Sequence, residues 1–181
     1  MQRDWVILVD EREKRPLTIP SHLVVWDRSS PPLSPRTCTL RLTVRKTRLP
    51  TGDYLLESHP NKVICERKGS LAELGGNLLT PEGRRKFVAE MERLKSQCSH
   101  PLLLLEGAPH TLSKNTRGHD PALVRDTLMG LLHEYNVEML LLPTDSSSAR
   151  TACGEWLAAK LITGALHHGN PAVQHPGPPP P

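Results

Sequence analysis

The chain has 181 residues, a length that fits one domain around one core, with 37% hydrophobic and 23% charged residues. Aromatic residues are only 3%, so the core is aliphatic, and the formal net charge of +4 gives a mild bias towards polyanionic partners. No apolar run approaches the roughly 20 residues of a membrane span, and acids follow Val9 too soon for a signal peptide, so membrane and secreted classes are not expected.

In chain order, "DWVILVD" (4–10) is a β-branched apolar run ending in an acid, which predicts a buried strand with a functional end. "EREKRP" is charged and exposed, "HLVVWD" (22–27) predicts a second strand, and "RSSPPLSP" a loop. "TCTLRLTVRKT" (37–47) alternates. Cys38, Leu40, Leu42 and Val44 share one face; Thr39, Arg41, Thr43 and Arg45 share the other, as in a half-buried strand with a basic outer side. "LPTGDYLLE" and "KVICE" predict two further strands joined by the turn "SHPNK".

The period then changes. "SLAELGGNLL" predicts a helix weakened at its end by two glycines. Thr80 predicts an N-cap with Pro81 in the first turn, and Phe87, Val88, Met91 and Leu94 line one helical face. "PLLLLE" reads as a fully buried strand and "GAPHTLSKNTRGH" as a polar loop. Asp120 and Pro121 open a helix carrying Leu123, Val124, Leu128, Leu131 and Leu132. "VEMLLLP" predicts another buried strand, and Asp145 the cap of a last helix reaching His167. A domain over 1–168 and a disordered Pro-rich tail over 169–181 follow. Strands first as a meander, then strands alternating with helices, predict an α/β fold: a mixed central sheet flanked by helices. No nucleotide-binding glycine motif is present.

The four cysteines at 38, 65, 98 and 153 show no C-x-x-C spacing, so neither a zinc ribbon nor a redox pair is expected. Cys65 reads as a reduced core thiol. An intracellular compartment, cytoplasm, nucleoid or nucleus, fits. His110, His119, His167, His168 and His175 have no metal-ligand frame and read as solvated. The tryptophans form no periodic stacking platform.

Four charged residues sit at strand ends: Asp10, Asp53, and Glu66 with Lys68. In Glu-x-Lys on a strand both side chains share a face, and the plain reading is an exposed ion pair worth under about 1 kcal/mol. Metal-dependent phosphodiester hydrolysis asks for the same types. Mg²⁺ takes one or two carboxylates plus water and phosphate oxygens, and a lysine orients water or neutralises developing charge.

The longer string "LVDEREKRP", "TGDYLLE", "ICERKGSLAEL" and "HPLLLLEG" resembles the nuclease domain of the XPF-type structure-specific endonucleases, of the PD-(D/E)xK restriction-endonuclease-like fold. That family carries V-D-x-R-E and then G-D-x(n)-E-R-K-x3-D. Asp10, Arg12 and Glu13 match the first piece; Gly52, Asp53, Glu66, Arg67 and Lys68 match the second. The resemblance spans residues 5–165 and is dense over 6–13 and 51–79. The family's last acid falls on Ala72 here, and Glu73 follows it.

The resemblance implies a metal-dependent DNA endonuclease acting on flap or branched DNA in repair, recombination or replication, with Mg²⁺ or Mn²⁺ as cofactor. Asp53 and Glu66 would ligate the metal, with the Arg67 carbonyl as a third group, and Asp10 would bind or position it. Lys68 would orient the attacking water. Arg12, Glu13 and Arg67 would shape the site or hold the phosphate, and Glu73 would supply the outer acid. Relatives pair through the nuclease domain, so a homodimer or heterodimer is expected. They also carry a tandem helix-hairpin-helix module, which no stretch here fits. DNA affinity is therefore assigned to Arg41, Arg45, Lys46, Arg48, Arg84, Arg85 and Lys86. The alternative is a nuclease-fold module that binds DNA or a partner nuclease without cutting. Ala72 is the feature in its favour. An unrelated small α/β enzyme is the third reading.

Overall fold

A computed structural model describes residues 4–27, 36–110 and 120–167. The Pro-rich tail and residues 28–35 and 111–119, expected to be loops, lie outside the described residues, as do His119, His168 and His175. Eleven elements follow in order: β1 (Asp4–Asp10), β2 (His22–Asp27), β3 (Arg36–Thr47), β4 (Tyr54–Leu56), β5 (Val63–Lys68), α1 (Leu71–Leu79), α2 (Pro81–Gln97), β6 (His100–Glu106), α3 (Pro121–Tyr135), β7 (Glu138–Leu142) and α4 (Ser147–His167).

The strands form one seven-stranded sheet in the order β2-β3-β1-β4-β5-β6-β7. β1 runs parallel to β3 and antiparallel to β4, while β5, β6 and β7 are mutually parallel. The expected meander is therefore corrected: β1 inserts between β3 and β4, so the first turn of chain leads across the sheet rather than into a hairpin. β4 is the seam. Three residue pairs join it to β1 and two to β5.

Both faces of the sheet are covered, which is why "PLLLLE" reads as an unbroken apolar run. Leu102 and Leu104 of β6 pack with Val63 and Cys65 beneath Leu157, Leu161 and Ile162 of α4. Leu103 and Leu105 pack with Ile64 against α1, α2 and α3, through Leu74, Phe87, Met91 and Leu128. The period of two thus assigns every residue of β5 to a face: 63, 65 and 67 towards α4, 64, 66 and 68 towards α1 and α2.

Several local expectations are met. The Thr80 hydroxyl accepts from the Gly83 N–H at 3.1 Å and caps α2, and Asp120 accepts from the Ala122 N–H at 2.8 Å and caps α3. The glycines of α1 do not break it. Gly83 in α2 lies so close to the Gly76 carbonyl that a Cβ there would come within 2.3 Å of it, so the pair lets α1 and α2 meet.

Others are corrected. Cys38 is exposed and Val44 is 45% exposed, leaving Leu42 as the buried anchor of β3, because α4 packs on β2, β4 and β5 instead. β7 is only half-buried because it is the sheet edge beside β6. Leu123 faces outward at 54% exposure while Val124, Leu128, Leu131 and Leu132 face the core. The start of α4 is capped by Ser146, whose hydroxyl accepts from the Ala149 N–H at 3.1 Å, and not by Asp145. Trp5 is buried and stacks on His59, with ring centres 5.9 Å apart. Cys65 is a fully buried free thiol, as its run predicts.

Candidate active site

The site forms where β1 and β5 end and β4 begins. Gly52 has φ +71°, a left-handed turn that a side chain resists, and a Cβ there would lie 2.4 Å from Ile64 Cγ2. That turn delivers Asp53 with its peptide fixed on both sides. The Asp53 N–H donates to the Cys65 carbonyl at 2.7 Å, and its own carbonyl accepts from the Asp10 N–H at 2.9 Å. Asp53 Oδ2 then accepts from the Arg67 N–H at 2.8 Å, and Oδ1 accepts no hydrogen bond among the described residues. Burial pushes its pKa up to about 6, against the pull of the Arg67 N–H.

Glu66 and Lys68 project together from the opposite face of β5 to Arg67, as Glu-x-Lys predicts. Their ion pair is buried, however, not exposed: Glu66 is 8% and Lys68 6% exposed. Lys68 Nζ donates to Glu66 Oε1 and to Glu90 Oε2, each at 2.8 Å, and lies 5.8 Å from the centre of the Phe87 ring. Burial opposes a charge on Lys68, but the two carboxylates outweigh it and keep the ammonium protonated. Burial also pushes the Glu66 pKa up, with Lys68 opposing. Nζ retains one N–H, and Glu66 retains Oε2.

The Asp10 carboxylate is engaged by its own neighbours, as suits the positioning half of the role expected of it. Its Oδ1 accepts from the Arg12 N–H at 2.7 Å and from Arg12 Nε at 2.8 Å. Its Oδ2 accepts from Arg12 Nη2 at 2.7 Å and from the Leu49 N–H at 3.0 Å. All four acceptor positions are filled in a side chain only 1% exposed. Those Arg12 hydrogen bonds hold the Asp10 pKa down to about 2, against burial. Asp10 is a permanent anion that aims Arg12.

Arg67 and Glu13 do come together. Arg67 Nη1 donates to Glu13 Oε2 at 2.9 Å, and Nε donates to Glu106 Oε1 at 2.5 Å. Glu106 in turn accepts from Thr144 Oγ1 at 2.6 Å and Arg150 Nη1 at 3.1 Å, and Arg150 Nη2 reaches the Arg15 carbonyl at 2.9 Å. This network lies on the α4 side of the sheet and ties the charged loop after β1 to β6 and α4.

Glu73 closes the start of α1. Its N–H donates to Ser70 Oγ and its carboxylate accepts from the Gly69 N–H, both at 3.1 Å. This is a capping box shifted by one residue. Glu73 still borders the main cleft, of about 510 Å³, with Asp53, Glu66 and Lys68. One of its carboxylate oxygens is engaged in that cap. Glu73→Ala is expected to cost about 1 kcal/mol of stability, with Glu73→Gln close to wild type, as read by urea unfolding.

The acid nearest Lys68 from outside β5 is Glu90, which the sequence reading missed. Its signal was an acid three residues after Phe87 and one before Met91, inside the apolar stripe of α2. Glu106 and Arg150 were also missed, although Glu106 ends a buried strand just as Asp10 does.

The basic residues assigned to DNA are dispersed. Lys46 and Arg48 lie at the Asp10 end of the sheet, because Thr47 pairs with Asp10. Arg41 pairs with Asp4 at the other end of β1, roughly 20 Å away at the rise of a strand. Arg41 faces Asp4 at 4.0 Å, Arg45 pairs with Glu57, and Lys86 pairs with Glu82 at 2.7 Å. Arg84 and Arg85 are exposed on α2.

Among the described residues no three His, Cys, Asp or Glu side chains converge into a ready-made metal cage. A Mg²⁺-type ion does not need one, since waters and phosphate oxygens complete its shell. Oδ1 of half-buried Asp53 and Oε2 of buried Glu66, bordering the same cleft, fit such an ion.

A mixed sheet with helices on both faces, carrying an acid, an acid and a lysine to one end of its central hairpin, is the restriction-endonuclease-like nuclease fold. Within that class the chain belongs to the ERCC4 domain family, whose family model matches residues 9–154. Its fold is similar to that of XPF from Aeropyrum pernix, at TM-score 0.56 and 17% identity over 97% of this chain and 69% of that one. It is also similar to the same archaeal protein in complex with DNA, at TM-score 0.52 and 19% identity over 94% and 68%. No curated protein matches the chain. Among the described residues no helix is long and apolar enough to cross a membrane.

Proposed function

We propose that this chain is a divalent-metal-dependent DNA endonuclease that cuts flap or branched DNA. The observation that carries the reading is the pairing of half-buried Asp53 with buried Glu66, each with one oxygen that accepts no hydrogen bond among the described residues, beside a lysine held protonated. The family supports a nuclease, and the similar fold solved with DNA supports DNA as the substrate.

Bound Mg²⁺ or Mn²⁺ would polarise the phosphate, lower the pKa of a water and steady the leaving oxygen. Asp53 and Glu66 would hold it. Lys68 stays protonated, so it acts as a donor and not as a base, offering its third N–H to the attacking water or to a phosphate oxygen. Asp10 holds the Arg12 fork at the cleft, where guanidinium suits a phosphate. Arg67 and Glu13 hold the loop and β5 in register. Pairing with a second copy or a partner nuclease, and a role in repair, recombination or replication, remain parts of this proposal.

The test is incision of end-labelled flap, fork and linear duplexes by wild type and Lys68→Ala with Mg²⁺ or Mn²⁺. Wild type is expected to cut a branched substrate only with metal, and Lys68→Ala to lose on the order of a hundredfold or more in rate. Equal cleavage by Lys68→Ala removes the assigned site. A second reading, binding without cutting, has Ala72 and the closure of Lys68 between Glu66 and Glu90 in its favour. Tight DNA binding with no incision under any divalent metal selects it.

A further inference from the structure

We propose that Arg93 and Arg12 form a second phosphate subsite, which binds a backbone phosphate beside the one at the acid pair. The inference rests on the reading of this site as one that takes a DNA strand. A smaller cleft of about 200 Å³ opens on the α2 side of Asp53 and Glu66. It shares those two acids and Arg12 with the main cleft, and adds Thr51, Glu90 and Arg93.

Arg93 follows Glu90 by three residues, so the two share a helix face. Glu90 is pinned by Lys68 at 2.8 Å, which fixes that face against the cleft. Among the described residues the Arg93 side chain makes no hydrogen bond or ion pair, whereas Arg41, Arg45 and Lys86 each face an acid. Arg12 is fixed but not exhausted. Its Nε and both Nη2 N–H groups serve Asp10 and the Leu49 carbonyl, leaving the two N–H groups of Nη1. The Thr51 hydroxyl, buried at the same cleft, also has no partner among the described residues.

The ligand class follows from charge. Asp53, Glu66 and Glu90 would repel a lone anion from this cleft. An anion is welcome there only as part of a chain whose neighbouring phosphate is already held at the acid pair. That describes a nucleic-acid strand and not a free phosphate. The strand would cross the acids with one flank over Lys14 and Arg15 in the main cleft and the other at Arg93.

The experiment measures binding of a branched DNA in Ca²⁺ by wild type, Arg93→Ala and Arg93→Glu, with single neutral methylphosphonates stepped along the strand. Arg93 is exposed, so the variants keep the fold, which circular dichroism checks. Arg93→Ala is expected to weaken binding on the order of tenfold and to lower the salt slope by about one. One methylphosphonate next to the scissile position should weaken wild type by more than it weakens Arg93→Ala, which retains Arg12. An identical interference pattern in both proteins overturns the subsite while leaving the nuclease reading intact. Wild type that binds no DNA overturns that reading, and the subsite with it.

Discussion

Asp53→Asn is expected to abolish incision and, in the same protein, to raise the thermal stability of the metal-free form. Loss of the free carboxylate oxygen that would hold the metal should cost on the order of a thousandfold in rate. The stability gain has a separate cause. Burial lifts the Asp53 pKa from 3.8 to about 6, so ionising it opposes folding. The unfolded chain ionises first, and stability from this group therefore falls as pH rises from about 4 to about 6, then stays level. The shift corresponds to about 2–3 kcal/mol at pH 7, or several degrees in Tm for a chain of this length. Asn can still accept from the Arg67 N–H, so the local geometry survives. The advantage of Asp53→Asn should disappear near pH 4. Mn²⁺ should raise the Tm of wild type and not of the variant. A variant less stable than wild type at pH 7, or equally stabilised by Mn²⁺, contradicts the account.

Arg67→Ala has the opposite signature. Arg67 is about as buried as Glu106 and Glu13, with side chains 8%, 6% and 11% exposed. Removing it leaves Glu13 without its cation and Glu106 with Arg150 alone. Breaking a buried pair in this way costs about 3–5 kcal/mol. Urea unfolding at pH 7 should show that loss, and incision should fall because little protein is folded. Arg67→Lys keeps the charge but not the fork that spans Glu13 and Glu106, so it should recover only part of the stability. A fully stable Arg67→Ala with lost incision would instead make Arg67 a phosphate ligand and not a foundation.

What the sequence made legible follows from how local each signal is. "VICERK" is a strand, and the period of two put Glu66 and Lys68 on one face before any fold was known. Thr80 and Asp120 announced their helices because a cap is decided within three residues. The engagement of Asp10 is just as local: Asp-x-Arg folds back on itself and occupies the carboxylate. Glu73 was legible as a family acid but equally as the last member of S-x-x-E, and the capping hydrogen bonds are what form. Glu90 and Arg150 were invisible because their meaning depends on which strand lies opposite, and that is fixed by the non-local order of the sheet. The same order explains why Val44 and β7 are less buried than their composition implies.

The three-residue β4 has a mechanical consequence. It joins two three-stranded halves, β2-β3-β1 and β5-β6-β7. Asp10 and Arg12 ride on the first half, Glu66 and Lys68 on the second, and Asp53 stands at the joint, bonded to both. Parting the halves at β4 would dismantle the site while leaving most of each half's ladder intact. Amide exchange at Asp10 and Asp53 should therefore be faster than in the middle of β6, and slow together when a ligand bridges the halves.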